Sequence, residues 1–363
     1  MIYIAYFVLV FAIMQLLVAL INLIFSQKFK DAADVSTGLV SILIPARNEE
    51  LNILNLLIDL QKQTYKRLEI IVFDDQSTDQ TAELVSEIAK YDARIRLVKS
   101  THLPDGWLGK NWACHSLGKE AKGDFLLFVD ADVRLDETAV VGSLVYLQRI
   151  KSKLLSVFPK QLMLSSGEKS VVPIMNYILL TLLPLILVRY SRFTSLSAAN
   201  GQFMLFEAKK YKELMPHEKM KAEKVEDINI SRLYKSEKLN VACVADSKDI
   251  ICRMYQNYGE SVHGFSKNLI MFFGNSYIVA VLFWLITTLG FIPVLLSLPF
   301  TYFLMLTLMV VLTRIIVSII SNQSIVSNLL FLMIQQINIG VIIVTSFLLK
   351  KNAKMEWKGR KIS

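Results

Sequence analysis

Two stretches of this 363-residue chain carry almost no charge, and they decide what it can fold into. Residues 1–27 contain no Asp, Glu, Lys or Arg, and across residues 269–349 the single charged side chain is Arg314. Both stretches exceed the ~20 apolar residues that cross the hydrocarbon of a bilayer. No small-residue cleavage site follows the first, so it reads as a retained N-terminal anchor rather than a signal peptide. Hydrophobic residues make up 53% of the chain, and mean hydropathy is +0.44. The expectation is an integral, multi-pass protein of the cell membrane, with a folded domain over residues 38–268 between the anchor and a C-terminal block.

Helix breakers divide that block into three spans, residues 277–296, 301–320 and 325–349, followed by a basic tail over residues 350–363. With a cytoplasmic central domain, three spans would place the tail outside, against the positive-inside rule. A cytoplasmic tail is expected, and the number of passes stays open. Arg314 should face protein or snorkel rather than face lipid, and Gln335, Gln336 and Asn338 should hydrogen-bond between helices.

The net charge of +9 gathers beside the apolar stretches, at Lys28, Lys30, Lys169, Arg189, Arg192 and the lysines from Lys350 to Lys361. That placement suits anionic lipid headgroups. No basic stripe is interleaved with aromatics, so nucleic acid is not expected as a partner. Cys114, Cys243 and Cys252 are scattered and odd in number. They indicate neither a disulfide framework nor a zinc site, in keeping with a reducing compartment.

Between the membrane stretches the chain alternates short apolar runs with helical periodicity. VSILIPARNEE reads as a buried strand ending at Pro45, and a helix follows over residues 49–63. LEIIVFDDQSTD is a strand ending in Asp74 and Asp75, with a capped helix over residues 80–90. A third strand covers residues 95–99, a Pro- and Gly-punctuated loop leads to a helix near Asn111, and FLLFVDADV supplies the fourth strand. Alternation of this kind predicts an α/β domain with a mainly parallel sheet.

Ligands bind beyond the carboxyl ends of such strands, and here those ends are Pro45-Ala46-Arg47, Asp74-Asp75, residues 99–101 and Asp130-Ala131-Asp132. Residues two apart on a strand share a face, so Asp130 and Asp132 can hold one hard cation, Mg2+ or Mn2+. A solvated strand end would look the same in isolation. No G-x-G-x-x-G or P-loop occurs, so a nucleotide would be held by carboxylates, a metal and side chains. Further along, residues 171–188 are apolar, hold Pro173 and Pro184, and are expected as a helix lying in the membrane interface or, more plainly, as a core helix. Strands are expected at residues 154–158, 200–206 and within LNVACVA. Helices are expected over residues 208–214 and in KVEDINISRLYKS, whose Glu226 and Asp227 sit in a first turn that favours anions.

These segments together resemble the inverting family-2 glycosyltransferases, which have a GT-A fold and use a nucleotide-diphosphate sugar. The resemblance covers roughly residues 40–268. It implies that Pro45, Arg47 and Glu49 lie in the nucleotide-contacting turn, that Asp75, with Asp74 beside it, faces the uracil and ribose of a UDP-sugar, that Asp130 and Asp132 form the metal-binding D-x-D, and that Asp227 of VEDINI is the catalytic base. GWLGKNWA and EWKGRK are similar to bacterial membrane glycosyltransferases acting on isoprenoid or other lipid acceptors, including carotenoid-acid and hopanoid-associated members. Arg253-Met254-Tyr255 stands where processive synthases carry Q-x-x-R-W, which implies transfer of a single hexose. Lys110 and Arg253 would then add positive charge against the phosphates. The alternatives are transfer to a polyprenyl phosphate and a non-catalytic binding domain. His102, His115, His217 and His263 read first as structural, with His217 a candidate border of the acceptor site and His263 a candidate neighbour of the metal. Trp107 and Trp112 read first as packing. The oligomeric state is not legible.

Overall fold

The computed structural model describes residues 1–27, 29, 38–245, 248–351, 356–357 and 360–361. Lys28, Lys30, most of the expected linker up to residue 38 and much of the basic tail lie outside them. The chain forms two compact units, one of residues 27–160 and 185–252, the other of residues 1–26, 161–184 and 253–363.

The first of these is the α/β unit. Its strands are Val40–Ala46 (β1), Leu68–Asp74 (β2), Ile95–Lys99 (β3), Phe125–Val129 (β4), Val133–Leu135 (β5), Leu154–Val157 (β6), Lys160–Gln161 (β7), Phe203–Glu207 (β8), Val241–Val244 (β9) and Ile250–Cys252 (β10). Seven of them form one sheet in the order β3-β2-β1-β4-β8-β6-β9. β1 runs parallel to β2 and to β4, β2 to β3 and β6 to β9. β8 alone is reversed, antiparallel to both β4 and β6. Strands covered on both faces need continuous apolar sequence, and Ile42, Leu43 and Ile44 of β1 are fully buried together with Ile70, Ile71 and Val72 of β2.

The register places Ala46 opposite Asp74, which sets the two expected strand ends side by side. β4 is followed by a turn holding Asp130 and Asp132, and then by β5, which pairs antiparallel with β10 and puts Val133 opposite Cys252. Asp59, on the helix Ile53–Lys62, straps β5 down: Arg134 Nε and Nη2 reach its two oxygens at 2.5 and 2.8 Å, and the Leu135 N–H donates to it at 3.1 Å. The helices after β1 and β2, Ile53–Lys62 and Thr81–Ala89, start later than their apolar patterns suggest. The intervening turns are taken up by side chain–backbone hydrogen bonds, such as Glu49 N–H to Thr81 Oγ1 at 2.8 Å and Glu50 N–H to Asp79 Oδ2 at 3.0 Å.

The second unit is helical. Three of its helices are long and apolar enough to cross a membrane: Ile2–Ile24, Phe300–Ile320 and Leu332–Lys351. A bent pair, Tyr258–Phe273 and Tyr277–Leu289, meets at 98° and passes the same test only as one broken span. The expected span 277–296 is interrupted at Gly290, where any Cβ would lie 2.2 Å from the Ile286 carbonyl and 2.9 Å from Val8 of the N-terminal helix. The expected span 325–349 opens with a separate short helix, Ile325–Leu330, before Leu332–Lys351.

Within residues 171–188, Pro173–Leu182 is a helix buried in this unit from Pro173 through Thr181, with Pro at its first turn where no N–H is required. It ends before Pro184. Asn22 of the N-terminal helix donates to the Leu180 and Leu183 carbonyls at 3.0 and 2.9 Å, satisfying acceptors that the helix end leaves open. The short helix Ile186–Tyr190 that follows belongs to the α/β unit.

Asp59→Ala should lower the unfolding free energy of the α/β unit by about 1–3 kcal/mol, because it leaves the Leu135 N–H buried without an acceptor. The measurement is denaturant unfolding followed by tryptophan fluorescence; unchanged stability would show that β5 is held otherwise.

Candidate active site

At the carboxyl edge of β1 and β2, Arg47 donates to the Asp75 and Gln76 carbonyls at 2.6 and 3.3 Å, so the two turns are joined through backbone oxygens. Asn48 and Gln76 adopt left-handed backbone, φ 53° and 58°, and the Thr78 N–H donates to Asn48 Oδ1 at 2.9 Å. Asp74 and Asp75 are both buried. Asp74 Oδ1 accepts the Ser77 N–H at 3.3 Å, and the Asp75 N–H donates to Ala46 at 2.8 Å. Pro45, Arg47, Glu49, Asp74 and Asp75 thus occupy one strand-end region.

Lys110 enters from the second residue of the helix Gly109–Glu120. Its ammonium lies 2.8 Å from Asp130 Oδ2 and 3.6 Å from Glu226 Oε1. Burial works against its charge, but the two carboxylates hold its pKa well above the ordinary lysine value. Asp227 begins the same helix as Glu226, the helix Glu226–Ser236. Its Oδ2 accepts the Gly201 N–H at 3.0 Å and its Oδ1 the Ile228 N–H at 2.7 Å. Gly201 packs closely: a Cβ there would stand 3.2 Å from Lys110 Nζ and 3.3 Å from Glu226 Oε1, so these side chains would have to give by a few tenths of an ångström. The neighbouring Gln202 ties the turn after β4 to β8, its carbonyl accepting the Asp130 N–H at 3.1 Å.

Four carboxylates, those of Asp130, Asp132, Glu226 and Asp227, feel the charge of Lys110. Desolvation, with Asp130 and Glu49 adding repulsion, pushes Asp132 up to about 7. Desolvation likewise raises Glu226 to about 7, against the pull of Lys110, and raises Asp227. Such crowding is relieved by protons or by a cation. Asp132 Oδ1 is buried with no hydrogen-bond partner among the described residues, while the Cys252 thiol hydrogen-bonds to the same carboxyl group. An orphaned carboxylate oxygen beside a second carboxylate fits a divalent ion. Among the described residues no group of three or more His, Cys, Asp or Glu side chains converges as a metal site. Asp130 and Asp132 would therefore hold the ion together with oxygens of a bound diphosphate, the mode typical of Mg2+.

Arg253, read as facing the phosphates, makes a protein contact, and His217, Trp107 and Trp112 take the structural roles first read for them. Arg253 belongs to the helical unit, and its guanidinium is held there by Glu168, at 2.9 and 3.4 Å. His217 is a core residue: it hydrogen-bonds Tyr211 Oη at 2.7 Å and packs 4.8 Å from the Phe128 ring, and burial drives its pKa down to about 3. Trp107 and Trp112 pack on each other and on His115, at ring distances of 5.2, 4.9 and 5.9 Å. From the sequence Glu226 was named only as a first-turn acid, with no site role, and Gly201 and Gln202 were not singled out. Glu226 was legible as the partner of Asp227 in one helical turn, but nothing local flagged Gly201-Gln202.

A D-x-D turn, an acidic strand end and an E-D helix start on one edge of a mainly parallel sheet are the features of a GT-A domain. A mannosyltransferase of Pyrobaculum calidifontis, solved in complex with GDP-Man and Mn2+, shares this fold with a TM-score of 0.60 at 12% identity, the match covering 97% of this chain and all of that one. Residues 41–149 match the glycosyl transferase family 2 model, so the chain carries a glycosyltransferase family 2 domain. It is 26% identical over 243 residues to 4,4'-diaponeurosporenoate glycosyltransferase of Staphylococcus haemolyticus, spanning 64% of this chain and 62% of that protein. It is also 41% identical over 104 residues to a probable glycosyltransferase of Bacillus subtilis, spanning 28% of this chain and 24% of that protein. The chain therefore covers less than two thirds of the length of either relative.

Because Glu226 is raised from 4.5 to about 7, the metal-free protein takes up a proton there on folding. Its contribution to stability is complete below about pH 4.5 and is lost as pH rises through about 7. Glu226→Gln should flatten the fall in Tm between these limits, as read by scanning calorimetry of the metal-free protein. An unchanged pH profile would show that Glu226 does not titrate in this window.

Proposed function

We propose that the chain is a membrane glycosyltransferase that moves a single hexose from a UDP-sugar to a lipid or isoprenoid acceptor, of carotenoid-acid type, with inversion at the anomeric carbon. The observation that supports this most is the cluster of Asp130, Asp132, Glu226 and Asp227 about one ammonium, Lys110, with Asp132 Oδ1 left without a partner. A diphosphate cannot approach four carboxylates unless a cation joins it. A divalent ion on Asp130 and Asp132 would supply Lewis-acid stabilisation of the departing nucleoside diphosphate.

The remaining roles fall to this chain's own groups. Asp74 and Asp75, at the end of β2, take the base and ribose, and Pro45, Arg47 and Glu49 form the adjoining turn. Lys110 pairs with Asp130 and, with three donors on its ammonium, still has one to offer the diphosphate. Asp227 takes the proton from the acceptor hydroxyl or carboxyl as the new bond forms. The Gly201 and Ile228 N–H groups fix its carboxylate without occupying every lone pair. Arg253 meets phosphate only if it leaves Glu168. Inversion follows from direct displacement, with no sugar–enzyme bond. The α/β domain is placed on the cytoplasmic side, where UDP-sugars are soluble, with basic flanks against anionic lipid headgroups.

Membranes containing the protein, incubated with radiolabelled UDP-sugars and Mg2+ or Mn2+, should transfer label to the extracted lipid phase. No label from any donor would overturn the reading in favour of a binding domain. Asp132→Ala should abolish turnover while leaving Tm intact; full activity would remove the metal assignment. Asp227→Asn should cut kcat by about 10²–10⁴-fold. If it keeps its activity, a phosphate acceptor, which needs little base catalysis, replaces the hydroxyl.

A further inference from the structure

Asp132 stands in a turn, between β4 and β5, and the ladder begins only at Val133. A turn residue has no ladder partner, so contacts across the turn set the direction of its side chain. β10 supplies one such contact. It pairs antiparallel with β5 and sets Cys252 opposite Val133, the residue after Asp132. The Cys252 thiol hydrogen-bonds to the Asp132 carboxyl group, while Oδ1 of that group is buried without a partner among the described residues.

All three cysteines are free and buried. Cys252 differs from a cysteine that merely packs, because a second polar side chain meets its sulfur. Gln202, 5% exposed, donates from Nε2 to Cys252 Sγ at 2.9 Å. An amide NH2 can only donate, so the single thiol proton is directed away from Gln202 and toward the carboxylate. A buried thiol beside a negative charge keeps that proton.

Gln202 is itself fixed at both ends of its peptide unit. Its N–H donates to Asn200 Oδ1 at 2.8 Å, and its carbonyl accepts the Asp130 N–H at 3.1 Å. One residue therefore holds the main chain at the first aspartate of the D-x-D and, through one sulfur, the side chain of the second. All of these residues lie in the α/β unit.

We infer that Cys252 and Gln202 are positioning residues for Asp132: the amide orients the thiol, and the thiol holds the carboxyl group so that Oδ1 stays open to a cation. The inference rests on the reading of Asp130 and Asp132 as the metal pair. Partners of this kind, standing behind a metal ligand, carry ~10–100-fold of metal affinity. A thiol is a weak donor, which puts the effect at the lower end.

The full chain in detergent is titrated with Mn2+ in the presence of UDP, against a blank without protein, and bound ion is read from the loss of the free Mn2+ EPR signal. Cys252→Ala should weaken Mn2+ binding by about tenfold, and Cys252→Ser, which keeps a donor, should recover most of the loss. Gln202→Met, which keeps the main-chain contacts and removes the amide, should weaken binding less. It should add nothing to Cys252→Ala, because both act through one contact. Additive losses with no recovery by serine would show a packing role and overturn the inference. Unchanged affinity in Cys252→Ala would overturn it while leaving the metal pair standing. No Mn2+ binding by the unmodified chain would remove the metal pair and this inference with it. A second measurement needs neither the metal nor the alanine variant. The S–H stretching band that Cys252→Ser removes from the infrared spectrum of the metal-free protein should move to higher frequency in Asp132→Asn, since a carboxylate is the stronger acceptor. A band that stays in place refutes the proposal.

Discussion

The contact between Lys110 and its two carboxylates is the interaction on which the candidate site depends. Asp130 arrives from the end of β4 and Glu226 from the start of a helix nearly a hundred residues later, and one ammonium joins them. Without it, Asp130, Asp132, Glu226 and Asp227 would confront one another in a poorly hydrated crevice with their mutual repulsion unopposed. The lysine does not cancel the excess. It leaves a region that is acidic enough to attract a cation and ordered enough to place it.

Close packing accompanies that arrangement. Gly201 carries no side chain, so the lysine and Glu226 can close on the backbone between them. Its N–H donates to Asp227. Attraction, close approach and the fixing of the base all meet at this residue.

The sheet was legible because buried parallel strands are apolar along their whole length, as in VSILIPA and LEIIVFD. The D-x-D and E-D pairs were legible because carboxylates at strand and helix ends are conspicuous against apolar sequence. Gly201 and Gln202 were not, since their importance comes from what folds over them. Arg253 was read from its position against the Q-x-x-R-W of processive synthases, while its bond to Glu168, far off in sequence, was not legible. In the helical unit, hydropathy marked the apolar stretches but not their interruptions. Gly290, where one span is broken, packs against Val8, a contact that no local window contains. Arg314 was read as facing protein or snorkelling, but the lack of an acceptor at Nε and Nη2 among the described residues emerges only from side-chain packing.

The reversal of β8 has a consequence of its own. The parallel strands β1, β2 and β4 all bring their carboxyl ends to one edge of the sheet, and the side chains gathered there are largely acidic. β8 runs the other way, so at this edge it presents its beginning. Just before that beginning, Gly201 offers a backbone N–H to Asp227, and Asn200 and Gln202 stitch the turn together, the Gln202 N–H donating to Asn200 Oδ1 at 2.8 Å. A sheet parallel throughout would have needed a further side chain to hold this carboxylate. Here a single change of strand direction lets the main chain hold it, which makes the grip on the proposed base a property of topology and indifferent to most substitutions along β8.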